Sequence, residues 1–389
     1  MRPLLLVLPI LLVACQDGAP STAEDGSSPA PVPPSLTEGV WLKGDLHLHS
    51  HHSSDATSPL PVLIRAAEAV GMDYFIATDH DNHVEGDVAG HTWADPDYRS
   101  DSMLMLYGAE WTTHRGHGNT ISASPYDHQS FYDIRDALDT EIGAVAERLG
   151  FHLSACHPAG GDAWSFSYDF ADGLEVWNSA IWSTNSGAMV VWDDLLKSGR
   201  RLTGRGGSDA HHGPTGGDPS AWTYNTLQGF ANYIGTPTTW VYARERSAAA
   251  VVEALDAGRV AVSANPNAER VELRADTDGD GEMDRMMGDD AVADGQPVTF
   301  RVDLVGGTQG LLPLYQVRVV KDGAEFGSFP VVGRSLEFTD TPVAGQRSYY
   351  RVEVSGLPSA YFMAPLSSLL STGTIGLSNP IYFGFHPRG

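Results

Sequence analysis

Short apolar runs alternate with amphipathic segments through the first two thirds of the chain, and this alternation limits the possible fold more than any other feature. The first cycle predicts a strand at 43–48, a helix from Ser58-Pro59 to Gly71, and a strand at 74–78. Ser before Pro is typical of a helix start and Gly of a helix end, with Ser58 as the expected N-cap. Strands that alternate with helices in this way predict a parallel sheet, and this many cycles predict an α/β barrel. The later cycles predict helices at 134–149, 189–197 and 248–257, and strands at 103–107, 151–156, 173–177, 202–205, 239–243 and 260–263.

The helical period vanishes after Asn265. Period-2 or β-branched runs follow, separated by turns, at 297–305, 314–321, 335–339 and 348–354. Such runs are typical of a small β-sandwich. The sequence therefore predicts a barrel domain at 39–265 and a β-sandwich domain at 266–389.

The N-terminal segment has the pattern of an export signal. Arg2 precedes a short apolar run that is too short to span a bilayer. Leu12-Val13-Ala14-Cys15 resembles a bacterial lipobox, which implies a signal peptide at 1–14 and lipidation of Cys15; an ordinary signal peptide with a chance cysteine is the alternative. Residues 15–38, rich in Ser, Pro, Ala and Gly, predict a flexible tether. We expect an exported protein that contacts the membrane only through its lipid, and Gln16 suggests the outer membrane.

The charge and the cysteine count exclude some functions. The formal net charge is −25, with 49 acidic and 24 basic residues, which argues against nucleic acid as a partner because binding phosphates requires clustered Lys and Arg. The negative charge fits a site that collects cations, or simply keeps the protein soluble. If Cys15 is lipidated, Cys156 has no disulfide partner, and we expect it to be a buried core residue rather than a nucleophile.

Histidines and carboxylates follow the predicted strands. Because the C-terminal ends of parallel barrel strands converge on one mouth, we expect these side chains to meet. Residues i and i+2 of a strand share a face, so the first two histidines point the same way. The residues are His47, His49, Asp55, His80, Glu110, His117, His157, Asp209 and His211.

Such a cluster predicts a multinuclear metal site. Packing so many imidazoles and carboxylates together without cations is costly. Ligands of this kind without thiolate suit zinc, manganese or iron, and two or three such ions can hold a hydroxide between them and polarise a phosphoryl oxygen. A single histidine is more often structural, and that interpretation is kept for others such as His83 and His114.

The motifs themselves resemble those of the PHP (polymerase and histidinol phosphatase) family, in the family's order. They are Asp45-Leu46-His47-Leu48-His49-Ser50, Ala77-Thr78-Asp79-His80, Gly108-Ala109-Glu110, His157-Pro158 and Gly207-Ser208-Asp209-Ala210-His211. A finer similarity, to the branch with carbaryl-hydrolase-like proteins, rests on Trp41-Leu42-Lys43-Gly44-Asp45, Gly116-His117-Gly118-Asn119 and Glu175-Val176-Trp177-Asn178.

The resemblance implies a distorted, TIM-like (β/α)7 barrel with two or three divalent ions. His47, His49, Glu110 and Asp209 would hold the first ion. Glu110 would bridge to a second ion held by His117 and His157. Asp55, His80 and His211 would hold a third. Asp55 lies one residue further from His47 than is usual in the family, and His117 is preferred to His114 because Gly-His-Gly-Asn fits the family pattern better.

Two residues beside the ligands have expected supporting roles. Asp79 is expected to orient a ligand through a hydrogen bond. Arg205 precedes the Ser-Asp-Ala-His segment and could meet an anionic substrate, but a surface ion pair is the preferred explanation.

A second acidic cluster contains alternating aspartates and resembles the first half of a calcium loop. The Glu of an EF-hand is absent, because Met287 occupies the twelfth position. A calcium-binding turn and a plain acidic turn both remain open. The candidate calcium ligands are Asp276, Asp278, Asp280 and Asp284.

The function predicted from these features is hydrolysis of a small anionic substrate, with a phosphoester as the bond cleaved and a metal-bridging hydroxide as the nucleophile. A carboxyl-ester or carbamate hydrolase on the same metals is the first alternative. A non-catalytic surface-binding lipoprotein is the second; it would be marked by lost ligands, and none is lost. The residues expected to act in catalysis are His47, His49, Glu110, Asp209 and His211.

Overall fold

The computed structural model describes residues 34–83, 87–214, 232–308, 314–357, 359–361 and 370–385. These residues belong to one compact unit that spans Val32–Gly389. The predicted signal peptide and Cys15 lie outside the described residues. None of the described helices is long and apolar enough to cross a membrane.

Helices and strands alternate through the first two thirds of the described chain, which confirms the α/β class. The helices are α1 (Leu60–Ala69), α2 (His128–Tyr132), α3 (Asp139–Leu149), α4 (Ser186–Lys197) and α5 (Ala248–Ala257). The strands of this part are β1 (Val40–Asp45), β2 (Tyr74–Phe75), β3 (Leu104–Met105), β4 (Tyr107–Thr113), β5 (Gly116–Ser122), β6 (His152–Ala155), β7 (Gly173–Asn178), β8 (Thr203–Gly207), β9 (Thr238–Ala243) and β10 (Val260–Ser263).

Strands dominate the remainder of the described chain, as the sequence predicted. They are β11 (Arg270–Asp276), β12 (Arg285–Met286), β13 (Asp290–Ala291), β14 (Val298–Val305), β15 (Leu314–Lys321), β16 (Ala324–Val332), β17 (Ser335–Asp340), β18 (Ser348–Gly356), β19 (Thr374–Ser378) and β20 (Ile381–Phe383).

The described strands form three open sheets, so the closed (β/α)7 barrel is not confirmed. One sheet has the order β4-β5-β6-β7-β8, and a second has β12-β11-β14-β17. The third runs β13-β20-β18-β19-β10-β9-β1-β2-β3, with β15 and β16 attached through β18. Two isolated parallel bridges, Leu48 with Ala210 and His80 with Glu110, join the first sheet to the extensions of β1 and β2.

The prediction of a parallel sheet was only partly right. β1, β2 and β3 are parallel, as are β6, β7 and β8. However, β4 pairs antiparallel with β5, and β5 antiparallel with β6. Thr113 pairs with Gly116 across a two-residue connection, which requires antiparallel strands. The mixed pairing places Glu110 of β4 and His117 of β5 on neighbouring strands, two positions apart in register, because Glu110 pairs with Asn119 and His117 with Thr112.

Three predicted helix starts were wrong, and one of them is that of α4, which begins at Ser186 rather than at residue 189. The helix expected from residue 134 begins at Asp139. It ends at Gly150, which adopts the left-handed backbone conformation that is common at helix C-termini. The expected N-cap Ser58 does not cap α1, whose N-cap is Pro59 without a side-chain hydrogen bond. The Ser58 hydroxyl instead accepts a hydrogen bond from the backbone N–H of Gly213, at 2.5 Å. This serine therefore connects the start of α1 to the segment that follows the Ser208-Asp209-Ala210-His211 motif.

The predicted β-sandwich shares both a sheet and a core with the first part of the chain. Phe300 of β14 packs against Tyr350 of β18, with ring centroids 4.4 Å apart, so two sheets face each other as expected. The second of these sheets continues through β19 into β10, because Val262 pairs with Leu377. One hydrophobic cluster includes side chains from both sides of residue 265. The predicted domain boundary there stays a prediction.

Candidate metal centre

The nine predicted ligand residues lie together, and most of them follow the C-terminal ends of strands. His47 and His49 follow β1, His80 follows β2, and Glu110 lies within β4. His117 lies in β5, His157 follows β6, and Asp209 and His211 follow β8. The backbone N–H of Asp209 donates to the carbonyl of His47, and that of His49 to the carbonyl of Ala210, both at 2.8 Å. These bonds fix the β1 and β8 extensions to each other, so their side chains converge.

The inner cluster consists of His47, His49, Glu110 and Asp209. The Nε2 atoms of both histidines lie 3.3 Å from Glu110 Oε2. The same two atoms lie 3.3 and 3.2 Å from Asp209 Oδ1. Two ligands of a tetrahedral ion, each about 2.1 Å from it, are about 3.4 Å apart. The spacing of the inner cluster therefore fits a single small cation.

Two atoms of the inner cluster lack ordinary partners. His47 Nε2 and Glu110 Oε2 are buried, and neither has a hydrogen-bond partner within the described parts of the chain. Buried polar atoms without partners are uncommon because each costs about 1–3 kcal/mol. A cation between them would satisfy both, so the residues present fit a metal ion.

The side cluster consists of Glu110, His117 and His157. Glu110 Oε1 lies 3.0 Å from His117 Nδ1 and 3.3 Å from His157 Nε2. The two carboxylate oxygens thus face different sets of imidazoles, which is the arrangement that a bridging ligand requires. Burial would raise the pKa of this carboxyl group, but its interactions with His47 and His80 and hydrogen bonds from His117 and His157 lower its pKa well below the usual range. Glu110 is therefore ionised and able to bind cations.

The outer cluster consists of Asp55, His80 and His211. Asp55 Oδ2 lies 3.5 Å from His80 Nε2 and 3.4 Å from His211 Nε2. The structure thus places Asp55 with the histidines, despite its unusual spacing in the sequence. The Asp55 side chain is 43% exposed and that of His211 is 25% exposed, whereas His47 and His49 are completely buried. The outer cluster is the side of the centre that solvent reaches.

The choice of His117 over His114 agrees with the geometry. His114 has a side chain that is 72% exposed and lies 3.4 Å from Asp136, away from Glu110. His117 is 14% exposed and contacts Glu110 directly.

Glu175 supports the cluster in a role that sequence analysis missed. It is completely buried, and its Oε1 lies 3.0 Å from His47 Nδ1. Its Oε2 accepts hydrogen bonds from the backbone N–H of His157 and from the Asn178 amide, both at 3.0 Å. The same amide donates to Asp209 Oδ2 at 3.3 Å. Glu175 therefore orients ligands of both the inner and the side cluster. The sequence segment that contains this residue, Glu175-Val176-Trp177-Asn178, was interpreted only as a similarity to one branch of the PHP family.

The prediction that Arg205 forms a surface ion pair was wrong. Arg205 is completely buried, and its Nη1 donates to Glu175 Oε1 at 3.0 Å. Its Nε donates to the Ser154 hydroxyl at 2.8 Å. Burial would raise the pKa of Glu175, but the charges of His47 and Arg205 lower it to about 2. Arg205 therefore keeps Glu175 ionised beneath the candidate metal ligands, and it is not exposed to substrate.

Cys156 is confirmed as a buried residue. Its side chain has no exposed surface, and burial raises the pKa of its thiol to about 11. A thiol in this state is a poor nucleophile.

Asp79 supports His49 indirectly. Its carboxylate accepts hydrogen bonds from the Ser50 N–H at 2.7 Å and from the Ser53 hydroxyl at 3.1 Å. The Ser53 hydroxyl lies 3.4 Å from His49 Nδ1. Asp79 thus holds the loop that carries this ligand, and its predicted orienting role acts through Ser53.

The second acidic cluster forms a turn in which carboxylates accept hydrogen bonds from backbone N–H groups. Asp276 accepts from Gly279 at 2.7 Å and from Gly281 at 3.0 Å. Asp284 accepts from the backbone N–H and the hydroxyl of Thr277, both at 2.7 Å. These contacts do not test calcium binding, which stays a prediction for Asp276, Asp278, Asp280 and Asp284.

Comparisons with known proteins leave the family open. No protein-family model matches this chain. No curated protein matches it either. A solved structure of a two-domain protein from Bacteroides vulgatus, which contains a predicted PHP-like metal-dependent phosphoesterase, is similar over 90% of this chain and 99% of its own length. The sequence identity is 20% and the TM-score 0.45, and a likeness at that level carries no argument about function.

Proposed function

We propose that the protein is a metal-dependent hydrolase and that phosphoesters are its substrates. The observation that carries the proposal is the position of Glu110, whose two carboxylate oxygens face two different sets of imidazoles at 3.0–3.3 Å. A carboxylate placed in this way suits a centre with at least two divalent ions. Groups of histidines and carboxylates that are able to hold an ion recur around it.

Bound ions would supply an activated water and neutralise the charge that develops on a substrate oxygen. The protein's own contribution is to hold the ligands rigidly. The buried Glu175–Arg205 pair fixes the ring of His47 from behind, while Asp55 and His211 lie on the side open to solvent. A substrate would therefore approach from the outer cluster. No side-chain nucleophile is required, which agrees with the buried, protonated state of Cys156.

The preference for phosphoesters over other esters rests on the order of the PHP-like motifs. Its test is to load the purified protein with manganese or zinc and to compare matched phosphomonoester, phosphodiester, carboxyl-ester and carbamate substrates. Asp209→Asn serves as the inactive variant and His114→Gln as the surface control. Phosphoester turnover that only Asp209→Asn abolishes supports the proposal. Turnover of carboxyl esters or carbamates alone supports the first alternative, and no turnover by a metal-loaded protein supports the binding role.

We also propose that the protein is exported and held at the outer membrane by lipidated Cys15. This proposal rests on the lipobox-like sequence and the tether that follows it. Its test is the distribution of wild type and Cys15→Ser between membrane and soluble fractions of a Gram-negative host. Wild type in the outer-membrane fraction and the variant in the soluble fraction support the anchor. An identical distribution contradicts it.

A further inference from the structure

The metal centre contains an additional histidine, His83, next to the outer cluster. His83 Nδ1 lies 3.5 Å from Asp55 Oδ1. The other oxygen of Asp55 faces His80 and His211, at 3.5 and 3.4 Å. The rings of His80 and His83 have centroids 4.4 Å apart. Asp55 is thus surrounded by three imidazoles: Oδ1 faces His83, and Oδ2 faces His80 and His211.

A direct hydrogen bond does not explain the position of His83. A separation of 3.5 Å between Nδ1 and the carboxylate oxygen is longer than the usual range of about 2.7–3.2 Å. The Nδ1 atom is nevertheless buried, and it has no hydrogen-bond partner among the residues that the structure describes. Two ligands of the same ion are expected at about 3.4 Å from each other. A shared cation accounts for both the spacing and the burial.

We propose that His83 is a fourth protein ligand of the outer ion, and that this ion exchanges with solvent while the inner ion is retained. The inference rests on the proposed metal-dependent function. Three imidazoles and one carboxylate would leave the outer ion with a net positive charge. The inner cluster supplies two histidines, Asp209 and a carboxylate oxygen of Glu110, whose charge it shares with the side cluster, so it attracts its ion more strongly than the outer cluster does.

The solvent exposure of the ligand side chains also favours exchange of the outer ion. The side chains of Asp55, His83 and His211 are 43%, 26% and 25% exposed. Those of His47, His49 and Glu110 are at most 1% exposed, and Asp209, at 21%, is the one inner ligand with comparable exposure. Water can therefore compete for the outer ion and replace its ligands one at a time. The nitrogen-rich ligand set suits zinc better than magnesium or calcium. The outer position would respond to the zinc concentration around the protein.

The experiment is a zinc titration of the metal-free protein by calorimetry, with metal analysis after desalting. It compares wild type, His83→Gln and the control His114→Gln, which changes a histidine that lies 3.4 Å from a surface aspartate. We expect wild type and the control to bind one zinc ion more weakly than the others and to lose it on desalting. We expect His83→Gln to weaken that ion alone by at least about tenfold, because loss of even an indirect partner costs about 10–100-fold in affinity.

Equal affinity of the weak ion in His83→Gln and wild type would overturn the role of His83. A wild-type protein that keeps every ion on desalting would overturn the exchange. If wild type binds no zinc, both the proposed function and this inference are wrong. If wild type binds zinc but His83→Gln has no effect, only the inference is wrong and the proposed function stands. If the circular dichroism spectrum shows that His83→Gln disturbs the fold, the same titration is repeated with Asp55→Asn. Loss of the weakly bound zinc ion alone in Asp55→Asn supports the outer site, and weaker binding of every zinc ion overturns it.

Discussion

The protein has two acidic regions that differ in what their carboxylates face. In the turn at Asp276 and Asp284, the carboxylate oxygens accept hydrogen bonds from backbone N–H groups of the same turn. In the candidate metal centre, Glu110 faces imidazoles from four other segments, and its Oε2 has no hydrogen-bond partner in the described chain. The first arrangement gives these carboxylates donors within the turn, whereas the second leaves a buried carboxylate oxygen without a hydrogen-bond partner in the described chain. The number of aspartates in a segment therefore says less about metal binding than the groups around each oxygen.

The charges of the metal centre show the same difference. Burial would lower the pKa of His47, but the carboxylates of Asp209, Glu175 and Glu110 raise it well above the usual value. His47 thus holds a proton strongly when no metal is bound. A site that retains a proton in this way also attracts metal cations, which compete with that proton.

Replacement of the bridging carboxylate is expected to have the largest effect. Glu110→Gln removes the charge that the inner and side clusters share, so we expect loss of two bound ions. Hydrolysis should fall by about 10³-fold or more, the equivalent of several kcal/mol of transition-state stabilisation. Metal analysis and turnover of the best phosphoester measure both effects. Asp278→Asn in the acidic turn is the matched control. Equal losses of bound metal and of turnover in the two variants would contradict the difference proposed between the two acidic regions.

Loss of an orienting amide is expected to have an intermediate effect. Asn178→Ala removes the side chain that links Glu175 Oε2 to Asp209 Oδ2, while the buried Glu175–Arg205 ion pair remains. We expect metal affinity to fall by about 10–100-fold. Competition with a coloured chelator measures this affinity. The exposed amide of Gln129 offers a control in Gln129→Ala, and unchanged affinity in Asn178→Ala would show that this link does not orient the ligands.

Metal affinity is expected to decrease as the pH falls. Because the pKa of His47 is raised, the imidazole stays protonated in the metal-free protein at neutral pH, and an incoming ion must displace that proton. Below the raised pKa, we expect the affinity to weaken by about tenfold per pH unit for each proton displaced. Zinc titrations at about pH 6 and pH 7, with proton release followed in buffers of different ionisation enthalpy, test this. Constant affinity and no proton release would contradict the electrostatic account.

The acidic turn is expected to show the smallest effect. Asp276→Ala removes the acceptor of two backbone hydrogen bonds, so we expect the free energy of unfolding to fall by about 1–3 kcal/mol. Phosphoester turnover should stay unchanged. Urea unfolding with and without calcium measures the stability and also tests the predicted calcium site. A calcium-dependent gain in wild type that Asp276→Ala abolishes would establish that site, and loss of turnover in the variant would contradict the separation of the two regions.

The convergence of most candidate ligands was predictable from the sequence because they lie in short motifs that follow strands. His47 and His49 alternate along an extended segment, and Asp209 and His211 do the same after β8, so local periodicity was sufficient to place them together. The α/β class followed in the same way from the alternation of elements. The helix α5 at Ala248–Ala257 and the strand β10 at Val260–Ser263 have the predicted bounds.

The supporting residues could not be predicted because their partners are distant in sequence. Arg205 pairs with Glu175, thirty positions away, and Glu175 contacts His47, which lies 128 positions away. A buried arginine is rare enough that a surface position was the reasonable expectation. The antiparallel β5 was missed because Gly116-His117-Gly118-Asn119 has few of the residues that favour strands. The continuation of β10 into β19 depends on a pairing between residues more than a hundred positions apart.

The most direct test of the central claim is anomalous diffraction from crystals of the protein grown with zinc. The account predicts one anomalous peak among His47, His49, Glu110 and Asp209, and a second among Glu110, His117 and His157, with Glu110 between them. The acidic turn should show no zinc peak. Absence of any peak beside Glu110 in crystals with saturating zinc would contradict the account.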